Sequence, residues 1–190
     1  MTLYLVRHGR TAANATGLLL GRADAPLDDV GRAQASALAA VVPGPVRVVS
    51  SSLQRARDTA AAFGRPVEVD DRWIELDYGE YDQRPIGSVA HDVWESWRSD
   101  LDFRPPGGER LRDLGVRVRE ACDALVADAL DGDVVVVTHV SPLKAAVAWA
   151  LEVGDEIAWR LHVMPASVSR VGIRPHGRVL LSFNEVHHLP

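Results

Sequence analysis

The sequence predicts a three-layer α/β/α sandwich, in which helices cover both faces of a central, mostly parallel sheet. Short apolar runs of β-forming residues alternate with longer stretches whose apolar residues recur every three or four positions. One run, Val134–Val137, is four consecutive valines, as expected for a central parallel strand that is buried on both faces. The length of 190 residues suits a single domain over residues 1–190, and a hydrophobic fraction of 47% is enough for a globular core.

Composition and charge exclude several kinds of partner. The net charge of −5 argues against nucleic acid or an anionic membrane as the main partner, and no apolar run approaches the length of a membrane span. Cys122 is the only cysteine, so no intramolecular disulfide can form. The first strand follows Met1 with no signal-like segment, so we expect a cytoplasmic location. The sequence leaves the oligomeric state open, a homodimer included.

The first predicted strand, Leu3–Val6, runs directly into Arg7, His8 and Gly9. In open α/β sheets this end of a strand faces the ligand crevice. A neutral histidine there can act as a nucleophile if an arginine holds an anionic electrophile in front of it. The alternative explanation is structural: Arg7 would belong to an ion pair at the end of the strand, and Gly9 would allow a turn. A short helix or turn is predicted next, where Asn14 can either bind an oxyanion or end the turn.

The second predicted strand, Val46–Val49, leads through three serines into an amphipathic helix. Ser50–Ser52 offer hydroxyl groups that can cap the N-terminus of that helix. Arg55 lies in its first turn, off the apolar stripe, where an arginine can hold an anion. Arg57, two residues later on the same helix, should point away from the anion site.

A predicted edge strand, Pro66–Val69, leads into the loop Arg72–Tyr81, which mixes carboxylates with aromatic residues. A carboxyl group packed against apolar rings can serve as an acid near neutral pH, although most loop carboxylates are simply solvated. Beyond the loop, Trp94 and Trp97 are candidates, together with Tyr81, for the rim of a pocket; core packing is nearly as good an explanation.

The valine strand is followed by His139 and by another predicted helix, with Ser141 as its N-cap and Pro142 in its first position. A histidine at such a junction can bind an anion held at the helix N-terminus. If the sheet is parallel here, the strand ends that carry His8, Arg55 and His139 lie at one edge. Such a cluster would form a phosphate site with a built-in nucleophile.

The remaining predicted elements complete the alternation. Cys122 lies on the apolar stripe of a long helix and is interpreted as a core residue. The pair His187-His188 has no second pair beside it and is interpreted as binding no metal. The other elements are helices from about Val30 to Val42, ended by Pro43-Gly44-Pro45, over Ile86–Arg98 and along Leu111–Ala129, and a hairpin of Ala166–Ile173 with Arg178–Asn184.

These motifs, in this order, resemble the histidine phosphatase superfamily, also called the phosphoglycerate mutase-like family. The resemblance covers most of the chain and includes the family's S-S-x-L-x-R-A-x-x-T-A, E-x-x-x-G and P-x-G-E segments. Three departures stand out, namely Arg10 in place of Glu or Gln, Arg110 in place of serine, and Val140–Lys144 in place of the common G-G after the late histidine. The last variant is similar to phosphatase domains fused to ribonuclease H in actinobacteria and to α-ribazole-phosphatase-like proteins. The matching segments are Leu5–Thr11 with Asn14, Gly21–Ala35, Ser51–Ala60, Glu75 with Gly79, Pro106–Glu109 and Thr138-His139.

The resemblance implies a phosphoglycerate mutase-like fold and a phosphomonoesterase that acts on a small phosphorylated metabolite and needs no metal or cofactor. It implies that His8 is the nucleophile that becomes a phosphohistidine, and that Glu75 first protonates the leaving oxygen and then activates water. The implied phosphate-binding residues are Arg7, Asn14, Gly21, Arg22, Arg55 and a protonated His139.

Two alternatives remain open at this point. A phosphoglycerate mutase usually has a longer chain, with an insertion after the acid that shields the phosphohistidine from water, and this chain shows no such insertion. A catalytically silent phosphate-binding protein would not need Glu75. We expect substrate specificity to reside in the segment Trp73–Phe103.

Overall fold

The computed structural model describes residues 1–42 and 44–189, and its centre is a six-stranded sheet in the order β3-β2-β4-β1-β5-β6. The strands β1 to β4 are mutually parallel, and β5 and β6 extend the sheet by antiparallel pairing beside β1. The predicted three-layer, mostly parallel architecture is confirmed. The strands are β1 (Thr2–Arg7), β2 (Arg47–Ser50), β3 (Val67–Val69), β4 (Val134–Thr138), β5 (Val168–Arg174) and β6 (Gly177–Glu185).

The described residues form six α-helices, and helices lie on both faces of the sheet. Within the described residues, none of them is both long and apolar enough to cross a membrane. Four short 3-10 helices lie in the connections, at Asp71–Trp73, Gly79–Tyr81, Ile86–Ser88 and Asp155–Arg160. The α-helices are α1 (Ala12–Ala15), α2 (Asp29–Leu38), α3 (Gln54–Ala61), α4 (His91–Ser99), α5 (Leu111–Asp131) and α6 (Val140–Leu151). Helices α2 and α3 pack on one face of the sheet, and α5 and α6 pack on the other.

Alternation along the strands divides the core between the two faces. In β1, Leu3 and Leu5 pack in the cluster that contains residues of α5 and α6, whereas Tyr4 and Val6 pack with residues of α2 and α3. All of β4 is buried between β1 and β2, as the valine run predicts. The interpretation of Cys122 as a core residue also holds, since the residue is fully buried and burial raises the pKa of its thiol.

Two predicted helices are shorter than expected. Helix α2 ends at Leu38, and part of the Pro43–Pro45 stop signal, Pro43, lies outside the described residues. The segment predicted as one helix over Ile86–Arg98 is a 3-10 turn followed by α4. Val89 and Ala90 are extended between the two pieces, directly after Gly87 and Ser88, which are weak helix formers.

Close backbone packing explains the glycine that follows His8. A Cβ atom on Gly9 would lie 2.5 Å from the carbonyl oxygen of Gly31 in α2, and one on Gly31 would overlap the carbonyl oxygen of Arg10. Arg10 itself pairs with Asp28, the N-cap of α2, at 2.8 Å. The strand-end loop is therefore fixed directly against the start of α2, and Gly9 supplies closeness of approach rather than flexibility.

Candidate active site

The carboxyl ends of β1, β2 and β4 meet at one edge of the sheet. Arg7 pairs in register with Thr138, and Ser50 with Val137. The residues that follow these strands are thereby brought together, and the rings of His8 and His139 lie 5.0 Å apart between centroids. The structure therefore places the residues that follow these three strands at one edge of the sheet, as predicted.

His8 is held in the form that a nucleophile requires. It is only 3% exposed, and its Nδ1 lies 2.7 Å from the carbonyl oxygen of Gly9. A carbonyl can only accept, so Nδ1 carries the proton and Nε2 keeps a free lone pair. Burial lowers the pKa of His8 well below its ordinary value, and the charges of Arg55 and Arg7 lower it further. The ring is therefore neutral at physiological pH.

Two arginines are anchored by carbonyl oxygens beside His8. Arg7 donates from Nη1 to the Val163 carbonyl at 2.7 Å, and Arg55 donates to the carbonyls of Gly21 at 2.6 Å and Ala23 at 2.9 Å. Burial lowers the pKa of Arg7 to about 10, so the guanidinium remains charged at neutral pH. The Nε atoms of both arginines are buried and have no hydrogen-bond partner in the described structure. Gly21 therefore positions Arg55 through its carbonyl group.

His139 is buried beside His8 and bonded to a serine that was expected to cap a helix. Its Nε2 lies 2.7 Å from Ser51 Oγ, and its Nδ1 is buried with no partner among the described residues. Burial lowers the pKa of His139 well below its ordinary value, and His8, Arg55 and Arg7 lower it further. The ring of His139 is therefore neutral in this structure, and a His139 that is protonated beside a bound phosphate stays a prediction.

Glu75 replaces the predicted serine cap of α6. Its Oε1 accepts from the backbone N–H of Leu76 at 2.8 Å and of Ser141 at 3.1 Å, and its Oε2 accepts from the N–H of Val140 at 3.0 Å. The N-cap position of α6 is His139, which makes no side-chain cap bond, so the predicted caps Ser141 for α6 and Ser50–Ser52 for α3 are wrong. A buried carboxylate bound to the first turn of α6 satisfies donors that a serine would otherwise bind.

A cavity of about 420 Å³ opens beside this cluster. Arg7, His8, Asn14 and Glu75 line one end of it, while Arg55 and His139 are fully buried next to His8. Most of the remaining wall is apolar, and it includes residues outside the predicted specificity segment Trp73–Phe103. These additional lining residues are Gly17–Leu20, Leu111, Val140, Ser141, Lys144, Ala158, Trp159 and His162–Pro165.

Other predicted site residues have mixed placements. Asn14 completes the capping box of the short α1, in which Thr11 is the N-cap and Asn14 Oδ1 accepts from the N–H of Thr11 at 3.1 Å; Asn14 also lines the cavity. Arg22 lies outside the cavity wall and pairs with Glu109 at 3.2 Å, so this geometry gives no support to phosphate binding by Arg22.

The aromatic rim differs from the expectation. Trp94 and Trp97 line the cavity, but Trp97 is also a buried core residue. Tyr81 does not line the wall and packs against Trp97, with ring centroids 6.1 Å apart. Trp97 therefore belongs both to the cavity wall and to the core, and Tyr81 packs against Trp97 without lining the cavity.

The buried histidines predict a pH-dependent stability. His8 and His139 are neutral when folded, whereas free imidazole titrates near ~6.5, so the unfolded chain takes up protons that the native site excludes. The free energy of unfolding should be fully retained above about pH 6.5 and fall below it, by at most ~1.4 kcal/mol per pH unit for each histidine. Urea denaturation between about pH 7.5 and pH 5.5 measures this slope.

Two variants identify the source of that slope. His139→Asn should reduce the slope by the contribution of one histidine, at most ~1.4 kcal/mol per pH unit. Replacement of the exposed His91 by Asn should leave the slope unchanged. An unchanged slope in His139→Asn would show that the ring is already protonated in the native protein.

Comparison with known proteins agrees with the geometry. The sequence model of the histidine phosphatase superfamily (branch 1) matches residues 3–186. A bifunctional protein of Mycobacterium tuberculosis is 36% identical over 88% of this chain and 49% of its own length, so the chain spans about half of that relative. A probable phosphoglycerate mutase of Yersinia enterocolitica is 31% identical over all of this chain and 95% of its own length.

Solved structures extend the similarity to the whole fold. A mycobacterial glucosyl-3-phosphoglycerate phosphatase superposes with a TM-score of 0.86 at 31% identity, covering 97% of this chain and 99% of its own. The α-ribazole phosphatase of Shigella flexneri gives a TM-score of 0.84 at 26% identity, covering 97% and 96%. With the family match over residues 3–186, these similarities place the chain in the histidine phosphatase superfamily.

Proposed function

We propose that this protein is a phosphomonoesterase that hydrolyses a small phosphorylated metabolite through a phosphohistidine at His8, without a metal ion. One observation carries the proposal: the free Nε2 of a buried, neutral His8 lies among buried donor nitrogens that have no partner in the described structure. Unpaired buried donors are rare in native proteins and call for a ligand. The donors are Arg7 Nε and Arg55 Nε, and His139 Nδ1 is a third in the tautomer in which Ser51 Oγ donates to Nε2; such donors suit the oxygens of a phosphate group.

The proposed reaction has two displacements at phosphorus. His8 Nε2 attacks in line, the P–O ester bond breaks, and Glu75 gives its proton to the departing oxygen. Glu75 then removes a proton from water, whose oxygen attacks phosphorus; the P–N bond breaks, phosphate is released and His8 Nε2 regains its lone pair. Arg7 and Arg55 offset the charge on the equatorial oxygens, and the phosphate dianion favours protonation of the adjacent His139.

The comparisons and the cavity wall support a phosphatase over a mutase. Two structural neighbours are named as phosphatases, although the relative from Yersinia enterocolitica is named a probable phosphoglycerate mutase. A phosphoglycerate is small and highly charged, whereas the wall beyond Glu75 is mostly apolar. Activity without a bisphosphoglycerate primer supports the phosphatase; strict dependence on the primer would favour the mutase. The net charge of −5 also supports a small-molecule substrate over nucleic acid or an anionic membrane.

Arg7 and Arg55, which together form the proposed arginine clamp on the phosphate, give a direct test of this function. Arg55→Ala should lower kcat/KM for phosphate release from an aryl phosphate by about 10²–10³-fold, since it removes a fixed charge from the transition state. The matched control is Arg57→Ala, because Arg57 is exposed on the same helix; we expect its kcat/KM to stay within about twofold of wild type.

Folding must be checked alongside, because Arg55 also tethers the loop at Gly21 and Ala23. Arg55→Lys keeps a charge but loses the two-carbonyl geometry, so it should recover little activity, and its midpoint of urea unfolding shows how far the loosened loop contributes to the loss. Full activity in Arg55→Ala would remove this residue from the proposed clamp.

A further inference from the structure

The cavity has one cation that the phosphate chemistry does not use. Lys144 is the only lysine of the chain, and it lines the wall beyond the cluster of Arg7, His8 and Glu75. His162 is the other basic residue of that part of the wall, and it is exposed at the rim. The rest of this region is largely apolar, with Leu19, Leu76, Trp94, Trp159, Val163 and Met164 among its members.

Helix α6 determines the position of Lys144 relative to His8 and Glu75. His139 precedes the helix beside His8, and the N–H groups of Val140 and Ser141 hold the Glu75 carboxylate. Lys144 follows Val140 by four residues and Ser141 by three, so the three share one helix face, and all of them line the cavity. Lys144 therefore lies one turn beyond the group that, under the proposed function, protonates the leaving oxygen. That part of the wall contacts the alcohol portion of the substrate.

The lysine has no protein partner that explains its position. It is half-buried, and no carboxylate of the described residues lies within ion-pair distance of it. Its charged neighbours are Glu75, which attracts it, and Arg7, which repels it, while burial lowers the pKa of its ammonium group. An ammonium group among apolar side chains is costly when unpaired, and an anion on the ligand would offset that cost.

We propose that Lys144 is a specificity-determining residue that binds an acidic group on the alcohol portion of the substrate. The preferred substrates are then phosphomonoesters whose alcohol combines an apolar body with a carboxylate. The assignment of the alcohol to this side of Glu75 rests on the proposed phosphatase function, and the attraction between Lys144 and an anion in the cavity can be measured without turnover.

Binding of phosphonates, which cannot be hydrolysed, provides that measurement. The probes are carboxybenzylphosphonate and carbamoylbenzylphosphonate, each as the meta and para isomers, which match in size and differ in one charge. Calorimetry gives Kd for each pair. In the wild-type protein at least one carboxylate isomer should bind about ten- to a hundredfold more tightly than its amide, the range of a charged hydrogen bond in a partly dehydrated site. Lys144→Met should remove this preference, Lys144→Arg should largely keep it, and Lys144→Glu should reverse it.

The controls separate this proposal from the proposed function. Arg57→Met removes an exposed cation that does not line the cavity and should leave every Kd ratio unchanged. A wild-type protein without a carboxylate preference, or a preference that survives in Lys144→Met, would overturn the role of Lys144. Equal weakening of both probes in Lys144→Met would also overturn it, since the lysine would then act on the phosphonate. Failure of the proposed function looks different: the matching phosphate esters would bind with the expected ratios but release no phosphate.

Discussion

Replacement of His8 by alanine should abolish phosphate release from every ester, with a loss on the order of 10⁴-fold or more. Among the described residues, the other histidine of the cluster is His139, whose Nε2 is bonded to Ser51 and whose Nδ1 is buried. Steady-state release of nitrophenolate measures the loss. Brief exposure of the wild-type protein to a labelled ester, followed by a denaturing quench, should trap one acid-labile phosphoryl group per chain, and His8→Ala should trap none.

His91→Ala provides the matched control, because His91 is exposed on α4 and should leave the rate unchanged. A small cavity at position 8 also costs stability, so the midpoint of urea unfolding must be reported for both variants. Substantial turnover by His8→Ala, or a rate in wild type that a chelator abolishes and a divalent metal restores, would contradict the phosphohistidine scheme.

The parts of the site that depend on strand order were predictable from sequence. A buried apolar run followed at once by Arg7 and His8, and four valines followed closely by His139, place polar residues at strand ends. Parallel pairing then brings these ends to one edge, as the register of β1 with β4 shows. The helical phase of α3 likewise separates buried Arg55 from exposed Arg57.

The parts that depend on tertiary capping were not predictable. Ser141 followed by Pro142 has the local pattern of a helix start, yet the carboxylate that binds the first turn of α6 belongs to Glu75, 65 residues before Val140. Ser51, which was predicted as a cap of α3, makes no cap bond there and hydrogen-bonds to the Nε2 of His139 instead. No local pattern encodes a partner that the fold supplies, so propensity selects the wrong residue here.

The apolar wall was missed for a related reason. No chemical motif contains Leu18–Leu20, Ala158, Trp159 or His162–Pro165. They line the cavity only through tertiary packing, in which the 3-10 helix Asp155–Arg160 contacts α6 and Leu18 forms a bridge with Pro85. The signal in the sequence was weak: three consecutive leucines in a loop require an apolar neighbour. Lys144 was visible as the single lysine, but its orientation into the cavity depends on where α6 begins.

Replacement of Glu75 by glutamine should have an effect that depends on the leaving group. An alkoxide departs only with a proton, so phosphorylation of His8 by an alkyl phosphate should slow by about 10²–10⁴-fold. A nitrophenolate hardly needs that proton, so its phosphorylation step should slow far less. Because Glu75 also activates water in the second step, the variant should give a burst of nitrophenolate followed by slow turnover. Stopped-flow measurement of burst amplitude and rate separates the two steps.

The substitution also disturbs structure, which makes the comparison between substrates essential. Glutamine keeps one acceptor oxygen but presents N–H₂ to a backbone N–H that Glu75 now satisfies, at Val140 or at Leu76 and Ser141. That disturbance affects both esters alike and cancels in the ratio of their phosphorylation rates. Equal losses for both would transfer the acid role elsewhere, with Asp77 and Glu80 as the candidates. Neither lines the cavity, and Asp77 accepts from the N–H of Gly79 at 2.9 Å, so the geometry favours an unequal loss with Glu75 as the acid.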